Sequence, residues 1–278
     1  MRHLSRDGVA LAYEERGPGK GQAQSQGQGE SALPLLFVHG WSCDHEYFAP
    51  QVEHFSARHR TITVDLRGHG ESDAPEQAYT MVGFADDLVW LCAQLAIVQP
   101  VIIGHSMGAV VALELAARHP AVPAAIVMVD GGTRTMAPLP PAPPSGTDGS
   151  ALARVMRDGS NPAAIRVAID GMFLPTDDAE RRTWITERML GRPPHVMASA
   201  WEELRRVDGA ASAKACTVPV LHISAATYRP ELARFRELCP QLVLGQTVGA
   251  GHFNMLEVPE QVNAMIEQFL HTSVRPPA

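Results

Sequence analysis

The sequence predicts an α/β fold: a mostly parallel central sheet with helices on both faces and a helical cap inserted between the sixth and seventh strands. Three observations carry that expectation. Short apolar or β-branched runs recur at 35–38, 61–64, 101–103 and 124–129, and such runs read as strands buried on both faces. Longer helical stretches follow them, the alternation of a parallel sheet. Between 150 and 207 helical segments then follow one another with no strand between them, before a strand-like run resumes at Val218.

Taken in order, Asp7-Gly8 separates Arg2-His3-Leu4 from a run at 9–13, a hairpin signal. Residues 17–31 are rich in Gly, Gln and Ser and read as a flexible surface excursion within one sheet. Leu35 to Val38 is a buried strand, 46–58 a helix, and Thr61 to Val64 the next strand. A helix over 81–96 carries apolar residues at Phe84, Leu88, Leu91 and Leu95. A strand from Val101, a tight turn and a small-residue helix come next, then a strand ending at Val129. The segment 136–149 is rich in proline. Helices are expected at 150–158, 162–173, 177–190 and 194–207, with Pro162, Pro175 and Pro193-Pro194 at their starts or breaks. A strand at 218–223, a helix at 230–238, a strand at 242–248, a turn at 249–253 and a final helix at 259–271 complete the chain. The division that follows is a core of 1–132 and 216–278 with a helical cap of 133–215.

At 278 residues the chain suits one large domain or a domain with an inserted lid. Net charge is −7 and no basic stripe is present, which argues against a nucleic-acid partner. No apolar run is long enough to span a bilayer, so no membrane partner is expected. Cys43, Cys92, Cys216 and Cys239 are scattered without a C-x-x-C pair, which indicates neither a zinc site nor a disulfide framework. Residues 1–7 lack the apolar stretch of a signal peptide. The expected location is cytoplasmic. The sequence leaves the oligomeric state open, a homodimer included.

The chemistry concentrates at Gly104-His105-Ser106-Met107-Gly108. A strand that turns sharply into a helix holds the residue at the apex in a strained conformation. A Cβ at 104 or 108 would collide with backbone packed against the turn. The Ser106 hydroxyl is thereby presented above the sheet, at a helix N-terminus.

Four motifs together resemble the α/β-hydrolase superfamily over nearly the whole chain. They are His39-Gly40-Trp41 after the third strand, Asp65-x-Arg67-Gly68-His69-Gly70-x-Ser72 after the fourth, the serine turn after the fifth, and Gly251-His252-Phe253 after the last. The resemblance implies the α/β-hydrolase fold, Ser106 as nucleophile and His252 as its base. Serine is a weak nucleophile at neutral pH; it needs a base, and the base needs an orienting carboxylate. In most of the family that acid follows the strand placed here at 218–223. The loop in this chain reads Ser224-Ala225-Ala226-Thr227-Tyr228-Arg229-Pro230-Glu231, with no aspartate near Tyr228. Asp130, at the preceding strand end, is the favoured acid, because a subset of the superfamily carries it there. Glu231 is the alternative, although a carboxylate in the first turn of a helix has an ordinary dipole-related reason to be there.

The same resemblance implies an oxyanion hole of two backbone N–H groups, those of Trp41 and Met107. It implies a loop-bracing role for the stretch from Asp65 to Ser72. Met172, Phe173, Trp184, Met189, Met197 and Trp201 are the cap residues expected to pack on the body or to line an apolar pocket. No metal or organic cofactor is expected.

The leading function is hydrolysis of a small or medium, partly apolar ester, lactone, amide or activated C–C bond. A second resemblance, to the cofactor-free ring-cleaving dioxygenases of this fold, rests on Gly40-Trp41-Ser42-Cys43-Asp44-His45, Asp130 and Leu221-His222-Ile223-Ser224. Met107 stands where that group tends to place a histidine. The third reading is a non-catalytic receptor for a small ligand.

Overall fold

The computed structural model describes residues 1–18, 32–132, 136, 151–226 and 231–274. The Gly/Gln/Ser-rich excursion from 19 to 31, most of the proline-rich segment and Tyr228 lie outside the described residues. Eight strands form one sheet: β1 (Arg2–Arg6), β2 (Val9–Arg16), β3 (Leu35–Val38), β4 (Thr61–Val64), β5 (Val101–His105), β6 (Ala125–Val129), β7 (Val220–Ser224) and β8 (Leu242–Gln246). Their spatial order is β1-β2-β4-β3-β5-β6-β7-β8. The β1–β2 and β2–β4 pairs are antiparallel, and every other pair is parallel. All residues of β3 to β7 are buried, as expected of strands in a sheet covered on both faces.

The order reverses at β3, with β4 on one side and β5 on the other. Loops leaving the C-terminal strand ends diverge at such a point and leave a crevice. The register then decides which loop residues meet. His105 of β5 stands opposite Val129 of β6, so Ser106 and Asp130 leave adjacent strands at one level. The Ser106 amide donates to the Val129 carbonyl at 3.0 Å.

The helices are α1 (Ala49–Phe55), α2 (Met81–Gln94), α3 (Met107–Arg118), α4 (Ala151–Asp158), α5 (Pro162–Asp170), α6 (Ala179–Leu190), α7 (Pro194–Leu204), α8 (Gly209–Ala215), α9 (Glu231–Leu238), α10 (Asn254–Glu257) and α11 (Pro259–Ser273). Several differences from the sequence expectation have local causes. The helix expected at 46–58 is a 3₁₀ turn at His45–Phe48 followed by α1, with Asp44 capping the turn and Pro50 in the first turn of α1. Helix α2 stops at Gln94 because the chain turns left-handed at Ala96, φ +48°. Strand β7 begins at Val220, after Pro219, which has no N–H to give a ladder. Helix α8 consists of Gly, Ala, Ser and Lys and carries no apolar stripe, so periodicity does not reveal it.

Helices α4 to α8 lie between β6 and β7 in the chain. Helix α8 packs on α3, where Ser212 Oγ donates to Glu114 Oε2 at 2.7 Å. Helices α6 and α7 lie against the core loops. The Trp41 indole N–H donates to the Met197 carbonyl at 2.9 Å, and the Tyr47 hydroxyl to the Ile185 carbonyl at 3.3 Å. Asp44, fully buried, accepts from both Arg188 and Arg192 at the end of α6.

Candidate active site

Ser106 sits between β5 and α3 at φ +53°, ψ −111°, a conformation L side chains rarely adopt. The glycines around it make that turn possible. A Cβ on Gly104 would stand 2.2 Å from the Gly108 carbonyl oxygen, and one on Gly108 would stand 2.2 Å from the Val38 carbonyl oxygen. Both contacts are with backbone, so neither can be relieved by a rotamer change.

His252 arrives on the loop after β8. Its Nε2 lies 3.0 Å from Ser106 Oγ, and its Nδ1 lies 2.7 Å from Asp130 Oδ2. An ionised carboxylate only accepts, so Nδ1 carries the proton and Nε2 offers its lone pair to the serine hydroxyl. Asp130 is itself left-handed, φ +40°, which aspartate tolerates better than most residues. Its side chain is 1% exposed, against 18% for His252. Asp130 Oδ1 accepts from the Ala225 amide at 2.9 Å, which leaves Oδ2 aimed at the imidazole. Glu231 is the first residue of α9.

The Met107 amide is the first of α3, a position with no intrahelical acceptor. Among the described residues, neither the Trp41 amide nor the Met107 amide donates to another protein group. Both remain available to an oxyanion. Trp41 is buried, with its ring 5.2 Å from that of Trp201. Phe173 stands 5.4 Å from Phe253, and Trp184 stands 5.0 Å from Tyr47. Met189 and Met197 are buried, and Met172 is half-buried.

The other motif histidines brace the site. His105 Nε2 donates to the His252 carbonyl at 2.9 Å, and burial followed by the nearby His252 pushes the His105 pKa down to about 3. It is therefore neutral at working pH. His39 Nδ1 donates to the Gly40 carbonyl, and its Nε2 accepts from the Leu66 amide at 3.0 Å, tying the Trp41 loop to the loop after β4. His222 Nε2 donates to the Gly131 carbonyl at 3.1 Å, beside Asp130. The stretch from Asp65 to Ser72 is held from within and from β2. Ser72 Oγ donates to the Asp65 carbonyl and accepts from the Ala12 amide, while Arg67 pairs with buried Asp87.

Sequence reasoning did not single out Glu257. Its carboxyl accepts from the Gly251 amide at 2.7 Å and the Phe253 amide at 3.1 Å, one residue to either side of His252. The available signal was a glutamate shortly after Gly251-His252-Phe253 and just before the proline-led last helix. The Met172 carbonyl, which accepts from the His252 amide at 3.2 Å, had no sequence signal at all. A groove of about 840 Å³ opens elsewhere, bordered by Glu14, Arg16, His45, Asp178, Arg181 and Trp184; Ser106, Asp130 and His252 do not line it.

A family model described as alpha/beta hydrolase fold matches residues 34–161. The chain is 38% identical over 96 residues to a 2-(acetamidomethylene)succinate hydrolase of Mesorhizobium japonicum, a match spanning 34% of each chain. It is 26% identical over 246 residues to the AB hydrolase superfamily protein YisY of Bacillus subtilis, covering 85% of this chain and 91% of that one. A thermophilic esterase from Thermogutta terrifontis superposes with a TM-score of 0.79 at 26% identity, covering 99% of this chain and 100% of that one. The strand order and the serine turn define an α/β-hydrolase scaffold. The matched family model and the superposed esterase show that the chain has the α/β-hydrolase fold.

Proposed function

We propose that the protein is a serine hydrolase that cleaves a small or medium, partly apolar ester, lactone, amide or activated C–C bond through Ser106, His252 and Asp130. The observation that carries this reading is the unbroken relay from Asp130 Oδ2 to His252 Nδ1 at 2.7 Å and from His252 Nε2 to Ser106 Oγ at 3.0 Å. His252 takes the hydroxyl proton as Ser106 attacks the carbonyl carbon, and Asp130 stabilises the imidazolium that forms. The Trp41 and Met107 amides receive the oxyanion. His252 returns the proton to the leaving group. Water then releases the acyl group by the same steps. The succinate hydrolase and esterase among the relatives support this class of chemistry.

The segment 133–215 serves in this reading as the cap, and its aromatic and methionine side chains favour an apolar acyl or leaving group. The partner is a small molecule, and the proposed location is cytoplasmic. No helix among the described residues is long and apolar enough to cross a membrane.

The test is a chromogenic panel of esters, lactones and amides on wild type beside Ser106→Ala, in air and under argon, with fluorophosphonate labelling. Turnover that needs Ser106 and ignores oxygen is the expected result. Turnover that survives Ser106→Ala, or that requires oxygen, overturns the reading in favour of ring cleavage by the His252/Asp130 pair. Absence of both turnover and labelling favours a receptor.

A further inference from the structure

We propose that Glu257 is a positioning residue for His252, and that its crowding with Asp177 around Gly251 ties the alignment of that histidine to the protonation of a carboxyl pair shared with the helical insertion. The proposal rests on His252 being the base of the reading above.

The geometry is a clamp around a three-residue loop. From the core side, Glu257 holds the Gly251 and Phe253 amides. From the insertion side, the Met172 carbonyl holds the His252 amide. All three consecutive N–H groups of the loop are therefore engaged, two by one carboxyl and one by the insertion. Asp177 closes the far side. It accepts from the Leu174 amide at 2.9 Å, which shapes the segment that begins at Met172. A Cβ built on Gly251 would stand 3.3 Å from Asp177 Oδ2, 3.3 Å from the Met172 oxygen and 3.4 Å from Glu257 Oε1. Both carboxyls thus crowd the same glycine, one from the core and one from the insertion.

Two carboxyls crowded in this way repel when both are ionised. Burial lifts the Glu257 pKa to about 7; the Gly251 amide opposes that shift, and the nearby Asp177 carboxyl adds to it. The charged groups that face Glu257 are Asp177 and, opposing the shift, Arg181 of α6, whose Nη1 also donates to the Leu256 carbonyl at 2.9 Å. Below about pH 7 Glu257 is protonated, and the segment 172–177 is held against the His252 loop. Above it the two like charges repel. The Met172 carbonyl then withdraws from the His252 amide, and the Phe173–Phe253 contact opens with it. Small displacements of a base cost up to about 100-fold in rate, so kcat should fall as pH rises through about 7, with a smaller change in KM.

The experiment compares wild type, Glu257→Gln, Glu257→Ala and Asp177→Asn. The reaction arm follows fluorophosphonate labelling of Ser106, and turnover of the best ester, from pH 5.5 to 9. The second arm follows the Gly251 and Phe253 amide resonances by NMR over the same range. Wild type should lose labelling rate above about pH 7, and both resonances should step at that pH. Asp177→Asn removes the like charge that faces the Glu257 carboxylate, so the falling limb should vanish. Glu257→Ala should lower kcat about 10- to 100-fold with KM changed less, and Glu257→Gln should remove the resonance step. A falling limb unchanged in Asp177→Asn, or wild-type resonances without a step near pH 7, overturns the proposal. Failure of the hydrolase reading looks different: no variant, wild type included, is labelled or turns over an ester, and the resonances alone then decide the role of the carboxyl pair.

Discussion

Replacing Asp130 by Asn tests the relay at its least ambiguous atom. Asp130 Oδ1 already accepts from the Ala225 amide, and Oδ2 faces His252 Nδ1. An Asn in the same rotamer must keep its oxygen on the Ala225 N–H, because an amide NH₂ there would set donor against donor. Its NH₂ then faces His252 Nδ1. The imidazole responds by carrying its proton on Nε2, and that tautomer cannot accept the Ser106 proton. The expected loss in kcat at neutral pH is about 10⁴-fold, the scale of a wrong-tautomer histidine in a serine triad. That corresponds to about 5.5 kcal/mol of barrier. The backbone should not move, since Asn tolerates the left-handed φ of +40° at this position. The melting temperature should therefore change little while activity collapses. The assay is steady-state turnover of the best chromogenic ester beside a thermal melt, with Glu231→Gln in parallel. A variant that keeps kcat within about threefold of wild type, well short of the 10⁴ expected, refutes the assignment. So does a larger loss in Glu231→Gln.

Ser106→Ala should remove ester turnover and fluorophosphonate labelling together while leaving the circular dichroism spectrum unchanged; residual turnover above background counts against a serine nucleophile. Asp44→Ala leaves Arg188 and Arg192 without their fully buried partner at the junction of α6 and the core. Because Arg188 is 30% exposed and can keep Glu46 at 3.1 Å, the expected destabilisation is about 2–4 kcal/mol, roughly 5–10 °C in Tm; a melt within 2 °C of wild type would deny the latch. The buried histidines His69 and His105 have pKa values pushed down to about 3, by burial first and then by His39 and His252 respectively. In the unfolded chain they bind protons near pH 6.5, whereas in the folded state they do not. Their stabilising effect is therefore complete above about pH 6.5 and is lost progressively as pH falls towards 3. Calorimetry should find proton uptake on unfolding near pH 5, reduced in the double variant His69→Gln/His105→Gln.

Much of this molecule is legible in contiguous residues. The runs that become β3 and β4 are readable because a strand buried on both faces is built of apolar residues, as in β3, or of β-branched ones, as in the Thr-Ile-Thr-Val of β4, and the structure begins and ends them at the residues where the runs begin and end. The serine turn is readable for a steric reason: only glycine fits where one backbone passes about 2 Å from the next Cβ position. Elements without such a local signature were harder. Helix α8 is made of small residues that lie close on α3, so its packing surface leaves no stripe. Helix α10 is four residues long, shorter than any period can report.

Strand-end chemistry belongs to the sequence: which residues are held out above the sheet, and in what backbone conformation, follows from sterics and burial over a few neighbouring positions. Which of them meet belongs to the tertiary structure. Asp130 and Ser106 lie 122 and 146 residues from His252 along the chain. They converge because β5 and β6 are neighbours in register and the loop after β8 folds back over β7. The grip of Glu257 and Met172 on the His252 loop is decided at that level too. A hydrogen bond between distant residues depends on strand order and on helices docked from an insertion, and no stretch of contiguous residues encodes either.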